Sequence, residues 1–446
     1  MRSRLTLFSF CLFFFTSNAQ IISGPMLGQV EYRDAKIWVE VSADVKKLEL
    51  VYSVKGHQVK KTIEYKGQLG KAFNPVQITA GSLEPGTTYT YQFRADNKLS
   101  NASGSFTTKE LWQDRKPVPD FSFITGSCAY INDSLYEPPG EPNGKDPSIF
   151  ETMSAEKSAF MLWLGDNWYT REVDYTSEWG LWYRAHHHRK HVSMQKLLKA
   201  MPHYATWDDH DFGPNDMDGH YVLKDVSRNV FMNYWANPSA GQDGEGIYTK
   251  FSYADADFFL CDGRWWRSAD TMKDSLNGKP NPGKRILGEK QVEWLKNALL
   301  YSKAGFKFVV MGGQVLNVAT TWDKLIDAPV EYTELMSFLE DNAINGVMFL
   351  TGDRHHSEIN KMERKGTYPL YDITVSPLSS KSYGYDAKEI NNERRIFGLE
   401  KKQNYARFSF TGPAGKRKLT VKFLGVKGDE LGSWSIEEKD LITGTR

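Results

Sequence analysis

Five apolar, strand-like runs in this chain each break off into a short polar turn, and that repetition limits the fold more than any other feature. The run 121–125 leads into Gly126-Ser127-Cys128, and 160–164 into Gly165-Asp166-Asn167-Trp168-Tyr169. The run 204–206 leads into Trp207-Asp208-Asp209-His210-Asp211, 306–311 into Gly312-Gly313-Gln314-Val315-Leu316-Asn317, and 347–351 into Gly352-Asp353-Arg354-His355-His356-Ser357. Four of these ends carry an Asp, His, Cys or Tyr able to bind a metal. An isolated ionised carboxylate costs many kcal/mol in an apolar setting, so such clusters must face water or cations. A single one reads as an ordinary acidic turn. Four on one edge of a sheet make a metal site the most economical reading.

The spacing of the runs predicts two kinds of architecture. From 21 to about 108 every apolar run has strand length, and a Pro85-Gly86 turn feeds a stretch in which Tyr89, Tyr91 and Phe93 alternate onto one face. This resembles a fibronectin type III sandwich with its tyrosine-corner strand. The charged stretch 109–119, with two prolines, reads as a linker. Beyond it strands alternate with helix-length segments, 146–157 and 287–302 among them. In the latter, Val292, Leu295, Leu299 and Leu300 fall near helical spacing. Alternation of this kind predicts an α/β domain with helices on its sheet faces, and ligands bound beyond the carboxyl ends of the strands. The expected organisation is a leader over 1–19, an all-β domain over 20–109 and the larger domain over 118–446.

The leader follows from Arg2 and Arg4, the apolar run 5–15 and Ser17-Asn18-Ala19, which together form an export signal with a small-residue cleavage site. The apolar run is too short to span a bilayer, so the mature chain is expected to be exported to the periplasm or beyond, without a transmembrane anchor. A formal net charge of +1 over 446 residues gives no electrostatic reason for a nucleic-acid or membrane partner. Two cysteines remain after the leader, Cys128 and Cys261. They can be read as a disulfide in an oxidising compartment, as small core residues, or, for Cys128, as a ligand.

Taken together, Gly126-Ser127-Cys128, Gly165-Asp166 with Tyr169, Trp207-Asp208-Asp209-His210 and Gly352-Asp353-Arg354-His355 resemble the motifs of the PhoD-type alkaline phosphatases. These belong to the calcineurin-like metallophosphoesterase superfamily. Gly28-Gln29-Val30 with Ile37-Trp38-Val39, and Leu287 to Leu295, resemble its sandwich start and the helix before its fourth core strand. The resemblance implies a four-layer β-sandwich flanked by helices, and hydrolysis of phosphate esters by in-line attack of a metal-activated water. It implies that Asp166 bridges the metals, with Cys128, Tyr169 and His355 around a ferric ion and Asp209 and Asp353 around calcium. Thiolate and phenolate suit ferric iron and carboxylates suit calcium, although other divalent metals remain open. His210 is the expected acid or transition-state stabiliser, and Arg354 a phosphate clamp or the partner of a nearby carboxylate. Asp208, Asn167 and His356 are expected to orient the ligands from behind. Asp262 and Arg264 resemble a family position near the site and are given no catalytic role.

Some features depart from this pattern. Cys128 and Asp353 stand where the wider superfamily has other ligands, and Gln314 and Asn317 where many relatives have a histidine. His186-His187-His188 with His191 has the composition of a metal tract. The interleaved Arg184, Arg189 and Lys190 favour an exposed basic helix face instead. The expected substrate is a small phosphate ester or a phosphodiester, and the expected state a monomer. A phosphodiesterase or phospholipase D-like hydrolase of the same fold, and an exported binding protein without catalysis, are the alternatives.

Overall fold

The computed structural model describes residues 20–319 and 323–444; the leader stretch 1–19 lies outside the described residues. The N-terminal strands form two antiparallel sheets. One contains Ile21–Val30, Ala35–Val41 and Pro75–Ala80, and the other Lys61–Glu64, Leu48–Val54, Thr88–Ala95 and Lys98–Thr107. Alternation along Thr88–Ala95 buries Tyr89, Tyr91 and Phe93 between the sheets. The Tyr89 hydroxyl accepts from the Glu84 amide at 2.9 Å, the back-bond of a tyrosine corner.

The larger domain stacks two sheets. In the first, His203–Thr206, Met161–Leu164 and Phe121–Gly126 run parallel and continue into antiparallel Asn404–Thr411, Lys418–Gly425 and Glu430–Glu437. In the second, Ala256–Leu260, Phe306–Val310, Val347–Thr351 and Leu370–Thr374 are parallel. Antiparallel Thr249–Tyr253 lies on one side of them, with Ser357–Met362 and Arg395–Leu399 on the other. Phenylalanines from both inner faces meet in the middle. Phe123 stacks on Phe408 at 4.7 Å and meets Phe258 edge-on at 5.2 Å, and Phe258 stacks on Phe308. Such ring pairs add about 0.5–1.5 kcal/mol each to the burial of their area, which is what holds one sheet on the other.

Helices cover both outer faces. Ile124, Met161, Trp163 and Ala205 pack against Ile149–Ser154, Glu178–Arg189, Val192–Ala200 and Lys224–Tyr234; Glu289–Tyr301 and Pro329–Asp341 serve the second sheet. No helix among the described residues is long and apolar enough to cross a membrane.

Three expectations need correction. The loaded strand ends belong to two sheets, not one edge of a single sheet. Those of Phe121–Gly126, Met161–Leu164 and His203–Thr206 meet those of Phe306–Val310 and Val347–Thr351 across the sandwich. The helix expected over 146–157 is only Ile149–Ser154, because Asp146 caps Ser148 in a turn first and the chain leaves the helix at Ala155. The histidine-rich helix is not an exposed basic face: Arg184, His188 and Arg189 are buried.

Candidate metal centre

The site assembles where the strands of both sheets end. Four of the residues that bring side chains there occupy the left-handed backbone region: Cys128 (φ 59°), Asp166 (51°), Asp353 (69°) and His355 (55°). Non-glycine residues hold such angles at a cost of about 1–3 kcal/mol each where the surroundings over-determine them, as they do at functional sites. The turns also demand small neighbours. A Cβ on Gly312 would lie 2.3 Å from Asp208 Cγ, so this glycine makes room for the carboxylate behind it.

Around Asp166 the side chains converge. Cys128 Sγ and Tyr169 Oη both approach Asp166 Oδ2, at 3.5 and 3.0 Å, and Tyr169 Oη lies 3.2 Å from His355 Nε2. His355 Nδ1 donates to the Lys381 carbonyl, which turns Nε2 into the site as an acceptor. Ligand atoms of Cys128, Asp166 and His355 lie within 4.8 Å of one another, and so do those of Asp166, Asp209 and His210. Asp166 therefore belongs to two adjoining groups. A third group joins Asp208, Asp353 and Asp323.

The electrostatics show strain that a cation would relieve. Burial, then Asp209 and Cys128, push the Asp166 carboxyl well above its ordinary range. Burial and Asp353 push the Cys128 thiol up to about 11, burial and Asp166 raise the Tyr169 phenol, and burial takes Asp353 up to about 7. Burial also works against the Asp209 carboxylate, yet His210, Arg264 and the Asp216 amide (2.7 Å from Oδ2) outweigh it and hold Asp209 below the usual range. Asp208 Oδ2 and His210 Nδ1 are buried with no hydrogen-bond partner among the described residues. A buried donor or acceptor left unpaired costs about 1–3 kcal/mol, so these atoms fit bound cations better than an empty interior.

The remaining expected residues fall around this centre. Asn167 donates to the Thr206 carbonyl at 2.8 Å, while its own Oδ1 has no partner among the described residues. His356 lines the same cavity, packed edge-on against Tyr385. Arg354 pairs with Glu389 and lies 3.6 Å from Asp353. Asp211 braces the turn: its two oxygens accept from the Asn167 and Asp208 amides at 3.0 Å each. Gln314 and Asn317 are turned away, both donating to Glu358 in a buried network. The two cysteines are unpaired, which removes the disulfide reading. The cavity holds about 310 Å³, bounded by Asp166, Asp209, His210, Asp353, Arg354 and His355 among others.

Sequence reasoning missed Asp323 and Asp216 and undervalued Arg264. Arg264 is 1 % exposed and bridges Asp208 and Asp323, with Asp209 at 3.7 Å. A signal for it existed, since Arg264 follows Asp262 just beyond the end of Ala256–Leu260, one more loaded strand end. Asp323 stands in a loop after no strand of its own, and nothing local marks it.

Known proteins resemble this chain in sequence and in fold. Residues 127–422 match the PhoD-like phosphatase family, and residues 18–108 match a domain of unknown function. Alkaline phosphatase D of Bacillus subtilis is 26 % identical over 332 residues, which are 63 % of this chain and 53 % of that protein. The chain thus spans about half the length of this curated relative. A structure of PhoD superposes over 94 % of this chain and 90 % of its own, with a TM-score of 0.74 at 20 % identity. The purple acid phosphatase PPD1 of yellow lupin does so over 94 % and 75 %, with a TM-score of 0.67 at 11 % identity. The fold is therefore the one these two phosphatases share. With two thirds of its length matched and the loaded strand ends in place, the chain belongs to the PhoD-like phosphatase family.

Proposed function

We propose that this protein is a metal-dependent phosphoester hydrolase, exported by the leader at 1–19 and acting on small phosphate esters. The observation that carries the reading is Asp166, whose carboxylate is shared by two adjoining ligand groups. Cys128, Tyr169 and His355 would hold one cation, with soft and phenolic donors suited to ferric iron. Asp209 and Asp353 would hold a harder one such as calcium. When bound, the cations would bind phosphate oxygens and acidify a water for in-line attack.

The chain's own residues do the rest. His355 is fixed in one tautomer by the Lys381 carbonyl. Asp208, tied to Arg264, backs the Asp209 turn, and Asp211 locks that turn through two amides. Burial lowers the His210 pKa, so its imidazole is neutral at neutral pH and stabilises the departing alkoxide by donating a hydrogen bond. Arg354 lines the cavity and offers guanidinium donors to a phosphate oxygen, with Glu389 holding it in place.

Metal analysis of the purified protein, paired with p-nitrophenyl phosphate hydrolysis, tests the proposal. Iron and calcium are expected with turnover, and Asp166→Ala should lose at least about 1000-fold in kcat/KM, in keeping with a metal-binding carboxylate. Absence of both metals with no turnover after reconstitution would refute the reading. Wild-type rates in Asp166→Ala would refute the bridging role.

A further inference from the structure

Resting on that reading, we propose that Tyr383 is a specificity-determining residue: an aromatic platform for the organic group of the ester, favouring aryl and other flat leaving groups over aliphatic ones. Its ring stacks on that of His355, with centroids 5.1 Å apart and planes inclined by 27°. The backbone is clamped on both sides. The Tyr383 amide donates to the His355 carbonyl at 2.9 Å, and the Tyr383 carbonyl accepts from the Lys401 amide at 3.1 Å. Yet the residue is 47 % exposed, with Lys381 Nζ 5.9 Å from its ring centroid. A large aromatic held this rigidly and left half in water serves no core.

The composition of the cavity says what the platform meets. Its floor is carboxylate and imidazole from Asp166, Asp209, Asp353, His210 and His355, where the phosphate of a substrate belongs. The organic part must then lie against the other walls. Among the described residues Tyr383 is the one phenyl or indole side chain on them; the rest of the described wall is Gly384 and polar residues such as Asn215 and Asp386. Asp216 and Asp386 also make that wall acidic, which disfavours leaving groups carrying a negative charge. A flat, uncharged group can stack on the tyrosine without meeting a carboxylate head-on. Rigid aromatic surfaces bind such groups at little entropic cost, because few rotamers are lost.

The test compares kcat/KM for phenyl phosphate and glycerol 2-phosphate in the metal-loaded wild type, Tyr383→Leu and Tyr383→Phe. Because both esters use the same catalytic groups, any loss common to them cancels in the ratio. Tyr383→Leu should lower the aryl-to-alkyl ratio about 10-fold and Tyr383→Phe should keep it within about 2-fold, as loss of one stacking contact predicts. Inhibition by phenylphosphonate, compared with methylphosphonate, should weaken in the same ratio without any turnover. An unchanged ratio in Tyr383→Leu, whether both rates fall or neither does, overturns the platform and leaves Tyr383 as packing for His355. Wild-type protein that hydrolyses neither ester overturns the hydrolase reading itself, and the platform with it.

Discussion

Arg264 is the residue on which the acidic half of the centre depends. It is buried and faces Asp208, Asp323 and Asp209, three carboxylates whose like charges would otherwise repel in a low-dielectric interior. Removing one partner of a buried ionic cluster costs about 3–5 kcal/mol, since the others are left uncompensated. Arg264→Met, which keeps most of the bulk, should therefore lower the unfolding free energy of metal-stripped protein by about 3 kcal/mol or more in urea titration. A loss below about 1 kcal/mol would mean that the carboxylates simply take up protons at no net cost. The contrast with Asp166 shows which residues a sequence can reveal. Cys128, Asp166, Asp209, Asp353 and His355 were legible because each follows an apolar run within a few positions. Asp323 and Asp216 reach the same place from loops, where no periodicity announces direction. Arg264 was visible but ambiguous, because its three partners lie 55 or more positions away or on another turn.

At the scale of elements, apolar runs of five or six residues matched Phe121–Gly126, Met161–Leu164, Phe306–Val310 and Val347–Thr351 to within a residue, whereas the buried strand Leu370–Thr374 was not read from the sequence. Glu289–Tyr301 likewise fell inside the predicted helix. The histidine-rich helix misled because composition cannot say which face is covered. Glu178–Arg189 is packed on both sides. His188 donates through Nε2 to the Ala129 carbonyl, beside Cys128, while His186 pairs with Glu40 of the N-terminal sandwich. The strand His203–Thr206 carries a buried histidine with a plain pH consequence. His203 accepts from Trp163 Nε1 through Nδ1 and donates through Nε2 to the Leu197 carbonyl, both at 3.0 Å, and burial pushes its pKa down to about 3. A folded-state pKa below the unfolded value means that only the unfolded chain binds the proton between these limits. The stabilisation is complete above about pH 6.5 and is lost as the pH falls below it. Between pH 7 and pH 5 this single group should remove about 2 kcal/mol of stability. Urea unfolding at the two pH values should show that loss in the wild type and a smaller one, by about that amount, in His203→Gln. Equal losses in both proteins would assign the acid sensitivity elsewhere.

For the whole molecule, the two-sheet sandwich was given by the family resemblance and not by the pattern of runs, which suggested one sheet edge, since strand order depends on contacts between residues far apart in the chain. The docking of the N-terminal sandwich was equally hidden, and it is more than a tether. Trp38 is fully buried, donates through Nε1 to the Asn233 carbonyl at 2.8 Å, and packs its ring beside Tyr234 and Arg189 of the larger domain. Gln77 donates to the Met232 carbonyl and Lys36 to that of Asn237, at 2.7 Å each. Glu40, 1 % exposed, accepts from Tyr234 and meets His186. At Gly28 a Cβ would come within 2.3 Å of Ala236, so the backbones touch directly there. An interface this buried and this closely fitted behaves like a core, and the two domains should unfold in one calorimetric transition. Trp38→Ala would remove an indole from that core, at a cost of about 3–5 kcal/mol. It should split the transition, the sandwich melting first, because Trp38 also anchors the strand Ala35–Val41. The helix that the sandwich covers also supports Cys128 through His188, so metal content should fall with the first transition. A single unshifted transition in Trp38→Ala would show that the sandwich rides on the larger domain without stabilising it.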